Sequence, residues 1–162
     1  GLREQAVPYM RELNALTEKL SGALARDMAE IIDAHAMILD DPEFTEGVIQ
    51  LIRRETLRAP AALRRQRDFL AAAFEAIEDP YLRARRDDLD HVVQRVFTVL
   101  QRGGAEPERK PKAIDEILVC ETIAPADLAS LVEQGLKGVV ATASSPYSHT
   151  AILARSFNIP MV

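Results

Sequence analysis

Residues 103–112, Gly-Gly-Ala-Glu-Pro-Glu-Arg-Lys-Pro-Lys, divide this chain more sharply than any other stretch. Paired glycines, two prolines and dense charge deny the backbone both a helix and a strand, so a linker is expected over 103–113. The hydrophobic period differs on its two sides. Before the break, apolar residues recur every three or four positions, the spacing of one helix face. After it they fall into short runs on either side of one helical stretch. The expected fold class is α+β: a helical-hairpin bundle over 1–102, then a small α/β unit over 114–162.

Met10, Leu13, Leu16 and Leu20 mark one helical stripe, and Leu24, Met28, Ile31, Ile32, His35, Ile38 and Leu39 mark another. Asp41-Pro42 and Asp79-Pro80 are helix starts, because the carboxylate can cap and proline suits the first helical position. Phe44, Val48, Leu51 and Ile52 follow the first; Leu82, Leu89, Val93, Val96 and Leu100 follow the second. A helix from about Ala61 carries Leu70, Phe74 and Ile77. Short connections favour two hairpins packed as a bundle. Beyond the linker the pattern is strand (Ile114 to Cys120), helix (Pro125 to Gln134), strand (Gly138 to Ala141), helix, and a last strand opening at Pro160. That is a βαβ-type unit.

The chemistry concentrates at His149. It stands where a polar loop, Thr142 to Tyr147, gives way to the apolar run Ala151 to Ala154. Ser148 is a good N-cap, which places His149 in the first helical turn. Backbone N–H groups at a helix start, with the positive end of the dipole, hold phosphate. A neutral imidazole there is a nucleophile beside an anion site.

The remaining composition mostly excludes. Acidic residues outnumber basic ones 25 to 20, giving net charge −5, which argues against nucleic acid as a partner. Cys120 is the single cysteine, so no disulfide can form within the chain and a reduced, cytoplasmic setting is expected. No apolar run reaches membrane-spanning length, and no signal peptide opens the sequence.

Ser148-His149-Thr150-Ala151-Ile152, Ala154-Arg155-Ser156 and Asn158-Ile159-Pro160 resemble the phosphohistidine segment of phosphoenolpyruvate-utilising enzymes. The stretch Ile31 to Phe44 resembles the helical insert by which enzyme I of the phosphotransferase system docks the small carrier HPr. Asp79 to Arg85 and Ile117 to Val119 fit enzyme I as well. The resemblance runs through nearly the whole chain in the family's order. It implies a phosphotransferase whose His149 accepts a phosphoryl group and passes it to an HPr-type carrier. Ser148 and Thr150 would position phosphate; His35, Met37, Asp41, Glu43 and Phe44 would meet the partner. The α/β unit would be an incomplete swivelling subdomain, completed by strands outside this sequence. No cofactor or metal is expected in the chain itself. Mg²⁺ belongs with a C-terminal PEP-binding domain beyond it, and the full-length protein would be a homodimer.

The sequence departs from the family at two places. Enzyme I typically has glycines and a threonine in the loop ahead of Ser-His, where this chain reads Ser144-Ser145-Pro146-Tyr147. Many sugar-type members have threonine where this chain has Leu128, and that hydroxyl can bond the active imidazole. Its loss is expected to change which ring nitrogen is free or to orient the ring less firmly. The chain therefore looks closer to nitrogen-related or fused paralogues.

Other residues have plainer readings. His91, among Asp87, Asp88 and Asp90, reads as solvated. His35 lies on an apolar stripe and reads as core, against the docking role that the resemblance implies. Met37 lies off the stripe near Asp33 and Asp41, as either an adaptable partner contact or a residue covered by the next hairpin. Arg64, Arg65, Arg67, Arg83, Arg85 and Arg86 read as solvated faces, and Arg155 as a packing contact. Two other functions stay open: a binding module for an HPr-like partner that has lost its chemistry, and a carrier domain of a dikinase-like enzyme.

Overall fold

The structure is a computed structural model and describes residues 2–18, 20–102 and 115–162. The expected linker, 103–113, lies wholly outside the described residues. Six helices come first: α1 (Leu2–Thr17), α2 (Ala23–Asp40), α3 (Pro42–Glu55), α4 (Ala59–Glu75), the single turn α5 (Pro80–Arg83) and α6 (Arg86–Arg102). Then follow β1 (Ile117–Cys120), α7 (Pro125–Glu133), β2 (Gly138–Ala141) and α8 (His149–Ser156).

The caps act as their chemistry dictates. Asp41 accepts a hydrogen bond from the Glu43 N–H at 2.8 Å and starts α3. Asp79 accepts from the N–H groups of Tyr81 and Leu82 and starts α5. Ser148 Oγ accepts from the Ala151 N–H at 3.1 Å, so α8 begins at His149. Each cap satisfies a donor that the first helical turn leaves without a partner.

Consecutive helices pack in pairs, α1 with α2 and α3 with α4, while α6 lies against α1, α2 and α4. β1 and β2 pair in parallel, with Ile117 opposite Gly138 and Cys120 opposite Ala141. Met161 joins by a parallel bridge to Val139, as a strand opening at Pro160 predicts. Ile117 and Val119 stay 65% and 71% exposed, so one sheet face carries little cover.

Two hydrophobic cores hold these elements, and they do not follow chain order. Leu39, Phe44, Val48, Leu63, Leu89, Val92 and Val96 form one among α2, α3, α4 and α6. The other joins Tyr9, Leu13, Met28 and Ile31 of α1 and α2 to Leu128, Leu131, Val139 and Leu153 of the α/β unit. The first hairpin thus belongs to the packing of both parts.

Candidate functional site

α6 begins with two acidic residues in its first turn, Asp87 and Asp88, as the helix dipole favours. The α5–α6 joint puts Arg85 one residue ahead of that turn. α8 faces this joint, so His149 meets both side chains. Its Nδ1 lies 2.9 Å from Asp88 Oδ1, and its Nε2 is hydrogen-bonded by an Arg85 N–H. Arginine can only donate, so Nε2 accepts through its lone pair. A neutral ring then keeps its proton on Nδ1, where it donates to Asp88. His149 and Asp88 are both buried.

Asp88 holds a second histidine. His35 Nε2 lies 3.6 Å from the same Oδ1, and Tyr9 Oη is 3.0 Å from His35 Nδ1. Burial opposes ionisation of Asp88. The hydrogen bond with His149 and the nearby His35 outweigh it and hold the carboxyl well below the usual carboxylate range. Burial raises the Tyr9 phenol well above its ordinary value. His91 completes the group, its ring centroid 6.4 Å from that of His35. His35, Asp88 and His91 each bring a ligand atom within 4.8 Å of the others', so this trio is the part of the site able to hold a metal.

His91 corrects its sequence reading. It is buried rather than solvated, because Asp88 and His91, three apart on α6, both face the packed interior. Burial, with the neighbouring His35, pushes its pKa down to about 4. Below the ordinary value of about 6.5 the unfolded chain takes up a proton that the folded chain refuses. Stability is therefore complete above that pH and is lost as pH falls toward about 4, by about 1.4 kcal/mol per unit. Urea unfolding from about pH 7.5 to about pH 5 should show this slope, and His91→Gln should flatten it. An equal slope in the variant would assign the loss to another group.

Three further expectations need correction. Phe44 and His35 are fully buried, Phe44 in the core among α2, α3, α4 and α6 and His35 beneath Asp88, so neither offers surface to a partner. Met37, Asp41 and Glu43 are exposed, Met37 by 73%. Thr150 and Ser148 are buried, with hydroxyls committed to the fold: Thr150 Oγ1 donates to the Ile123 carbonyl, and Ser148 Oγ caps α8. Arg85, which had read as solvated, is instead largely buried against the His149 ring.

The altered loop is ordered by its own side chains. Ser144 Oγ bonds Ser148 Oγ at 3.2 Å, and Ser145 Oγ accepts from the Tyr147 N–H at 3.2 Å. The Tyr147 carbonyl accepts from Arg85 at 2.9 Å, and the Pro146 carbonyl from Arg155 at 3.0 Å. The non-glycine residues with positive φ among those described are Thr56, Asp115 and Asn158, none in this loop. Serine in place of glycine therefore costs no backbone strain here. Leu128 is buried in the core shared by α1, α2 and the α/β unit, and the ring takes its orientation from Asp88 and Arg85 instead.

Comparison with known proteins agrees with this architecture. Residues 4–85 match the family model "PEP-utilising enzyme, N-terminal", and residues 113–162 match "PEP-utilising enzyme, mobile domain". The phosphoenolpyruvate-protein phosphotransferase of Listeria innocua is 36% identical over 162 residues, covering 98% of this chain and 28% of that protein. That of Bacillus subtilis is 32% identical over 151 residues, covering 93% and 26%. The chain thus spans little more than a quarter of the curated relatives it matches. Among solved structures, the solution structure of Enzyme I (nEIt) superposes with a TM-score of 0.66 at 28% identity, over 99% of this chain and 64% of that one. An N-terminal domain of Enzyme 1 - Nitrogen gives 0.62 at 26% identity, over 99% and 65%. Helical bundle, α/β unit and matched segments together establish that the chain belongs to the PEP-utilising enzymes.

Proposed function

We propose that this chain is a phosphoryl relay, accepting a phosphoryl group on His149 and passing it to an HPr-type carrier protein. One observation carries the reading: the two ring nitrogens of His149 are held by opposite partners, a carboxylate at Nδ1 and a guanidinium at Nε2. Asp88 fixes the proton on Nδ1 and leaves the Nε2 lone pair as nucleophile. That lone pair attacks phosphorus and forms the N–P bond. The bond from phosphorus to the donor breaks, and its electron pair leaves on the donor's oxygen or nitrogen. The ring gains positive character as this happens, and the Asp88 carboxylate faces it. Arg85 must leave Nε2 for the attack, and its donors are then free for the phosphoryl oxygens. The backward step, to a histidine of the carrier, uses the same groups.

The test uses phosphorylated HPr-type carrier as donor, with tandem mass spectrometry to locate the label and phosphorus NMR to assign the nitrogen. Phosphate on His149 Nε2 is the expected result. Label on His35, His91 or Nδ1 would contradict the reading, and silence with several carriers would favour a binding module without chemistry. PEP and Mg²⁺ alone should give no phosphoprotein, because the primary donor site belongs to sequence that the relatives have beyond this span.

Met37 is the strongest anchor for the carrier, since it is exposed and lies near the exposed Asp41 and Glu43. Met37→Ala should weaken carrier binding by about 1–2 kcal/mol, roughly tenfold, in a calorimetric titration. Unchanged affinity would move the docking surface elsewhere.

A further inference from the structure

The polar atoms behind His149 include three that its chemistry does not use. His35 Nε2, Asp88 Oδ2 and His91 Nδ1 are buried and have no hydrogen-bond partner; Asp88 Oδ2 lies 3.4 Å from Arg85 and His35 Nε2 3.6 Å from Asp88 Oδ1, contacts too long to satisfy them fully. The side chains that carry them are 0%, 1% and 8% exposed. A buried polar atom without a partner costs roughly 1–3 kcal/mol, and three in one cluster is a heavy charge on a small domain. One ligand atom from each residue lies within 4.8 Å of those of the other two.

We propose that His35, Asp88 and His91 bind a divalent transition metal of the zinc class, and that the bound ion weakens the hold of Asp88 on His149. Two imidazoles and one carboxylate suit zinc and its neighbours, not Mg²⁺ or Ca²⁺, which prefer oxygen. Bonds of about 2.0–2.1 Å put tetrahedral ligand atoms roughly 3.4 Å apart, so no pair of the three need close by more than about 1.4 Å. His35 is already supported for the role. With Nε2 on a metal its proton moves to Nδ1, which faces Tyr9 Oη at 3.0 Å, and the phenol oxygen accepts it. His91 and Tyr9 line an open cleft of about 1200 Å³ between α6 and α7, which gives an ion and its remaining water ligands access.

The consequence for His149 follows from sharing. Asp88 would serve the metal and the Nδ1–H of His149 with one carboxylate. Charge drawn to the ion is lost to the imidazole, so phosphoryl transfer should slow. This second half rests on the proposed relay; the binding itself does not.

The test uses the whole chain, stripped with chelator and titrated calorimetrically with ZnCl₂. One equivalent should bind. His91→Gln should weaken that binding at least about tenfold, and so should His35→Gln, with circular dichroism confirming each fold. Cys120→Ser should bind as the parent chain does. Mg²⁺ in excess should not displace zinc. No binding, parental affinity in both histidine variants, or loss in Cys120→Ser would overturn the site. Zinc should also slow labelling of His149 by phosphorylated carrier, with His91→Gln insensitive to it. Tight binding with an unchanged labelling rate would overturn the coupling and leave the site standing. If the carrier labels nothing even without zinc, the relay fails while the calorimetric result still decides the metal.

Discussion

Asp88→Asn should slow phosphorylation of His149 by about 100-fold or more while leaving the helices intact. The substitution keeps the shape and removes the charge. An amide can still accept from Nδ1–H, but it can also turn its NH₂ toward the ring, which would favour the tautomer with the proton on Nε2. In that tautomer the attacking lone pair is gone. Where the tautomer is right, the ring still gains positive character against a neutral neighbour. Stability should fall by only about 1–3 kcal/mol, because the buried contacts to His149 and His35 are weakened rather than emptied. The measurement is the initial rate of labelling by phosphorylated carrier, with ¹⁵N NMR of the imidazole to read the tautomer. A rate within about threefold of the parent chain, with the fold intact, would remove Asp88 from the mechanism.

Arg85→Ala should slow the same reaction by about 10- to 100-fold. Two effects oppose each other here. Removing the guanidinium uncovers Nε2, which favours attack. It also removes a cation that touches the reacting atom, and with it a countercharge for the phosphoryl oxygens. Charge stabilisation is the larger of the two, since phosphoryl transfer relies on it and little else. Arg85→Lys should recover part of the rate, because one ammonium cannot reach both Nε2 and the Tyr147 carbonyl as the planar fork does. A faster reaction in Arg85→Ala would show that the arginine guards the histidine instead of assisting it.

Local signals in the sequence carried the helices, their caps and the position of His149. Asp41, Asp79 and Ser148 each announce a helix through a side chain that bonds its own neighbours, so nothing distant is needed to read them. Asp88 and Arg85 are different. Their contacts to His149 span 61 and 64 residues, and only the packing of α8 on the α5–α6 joint creates them. A trace of Asp88 was visible all the same. It stands four residues before Val92 and three before His91, and those spacings put it on the buried side of α6. The run Arg85-Arg86-Asp87-Asp88 hid it, because consecutive charges resemble a wet surface. His35 is the reverse case: its place on the apolar stripe foretold burial, while the docking role implied by resemblance pointed outward.

The interleaved cores bear on how this molecule can be divided. Tyr9, Leu13, Met28 and Ile31 rest on Leu128, Leu131 and Leu153, across the boundary that the glycine-rich segment marks. Cutting the polypeptide there would not release two finished pieces. The helical half would carry away a hairpin with an oily flank newly open to water, and the other half would lose the layer beneath α7 and α8. Such surfaces aggregate. A deletion made at a better seam would have to take α1 and much of α2 along with the strands, although four helices of the chain lie between those segments.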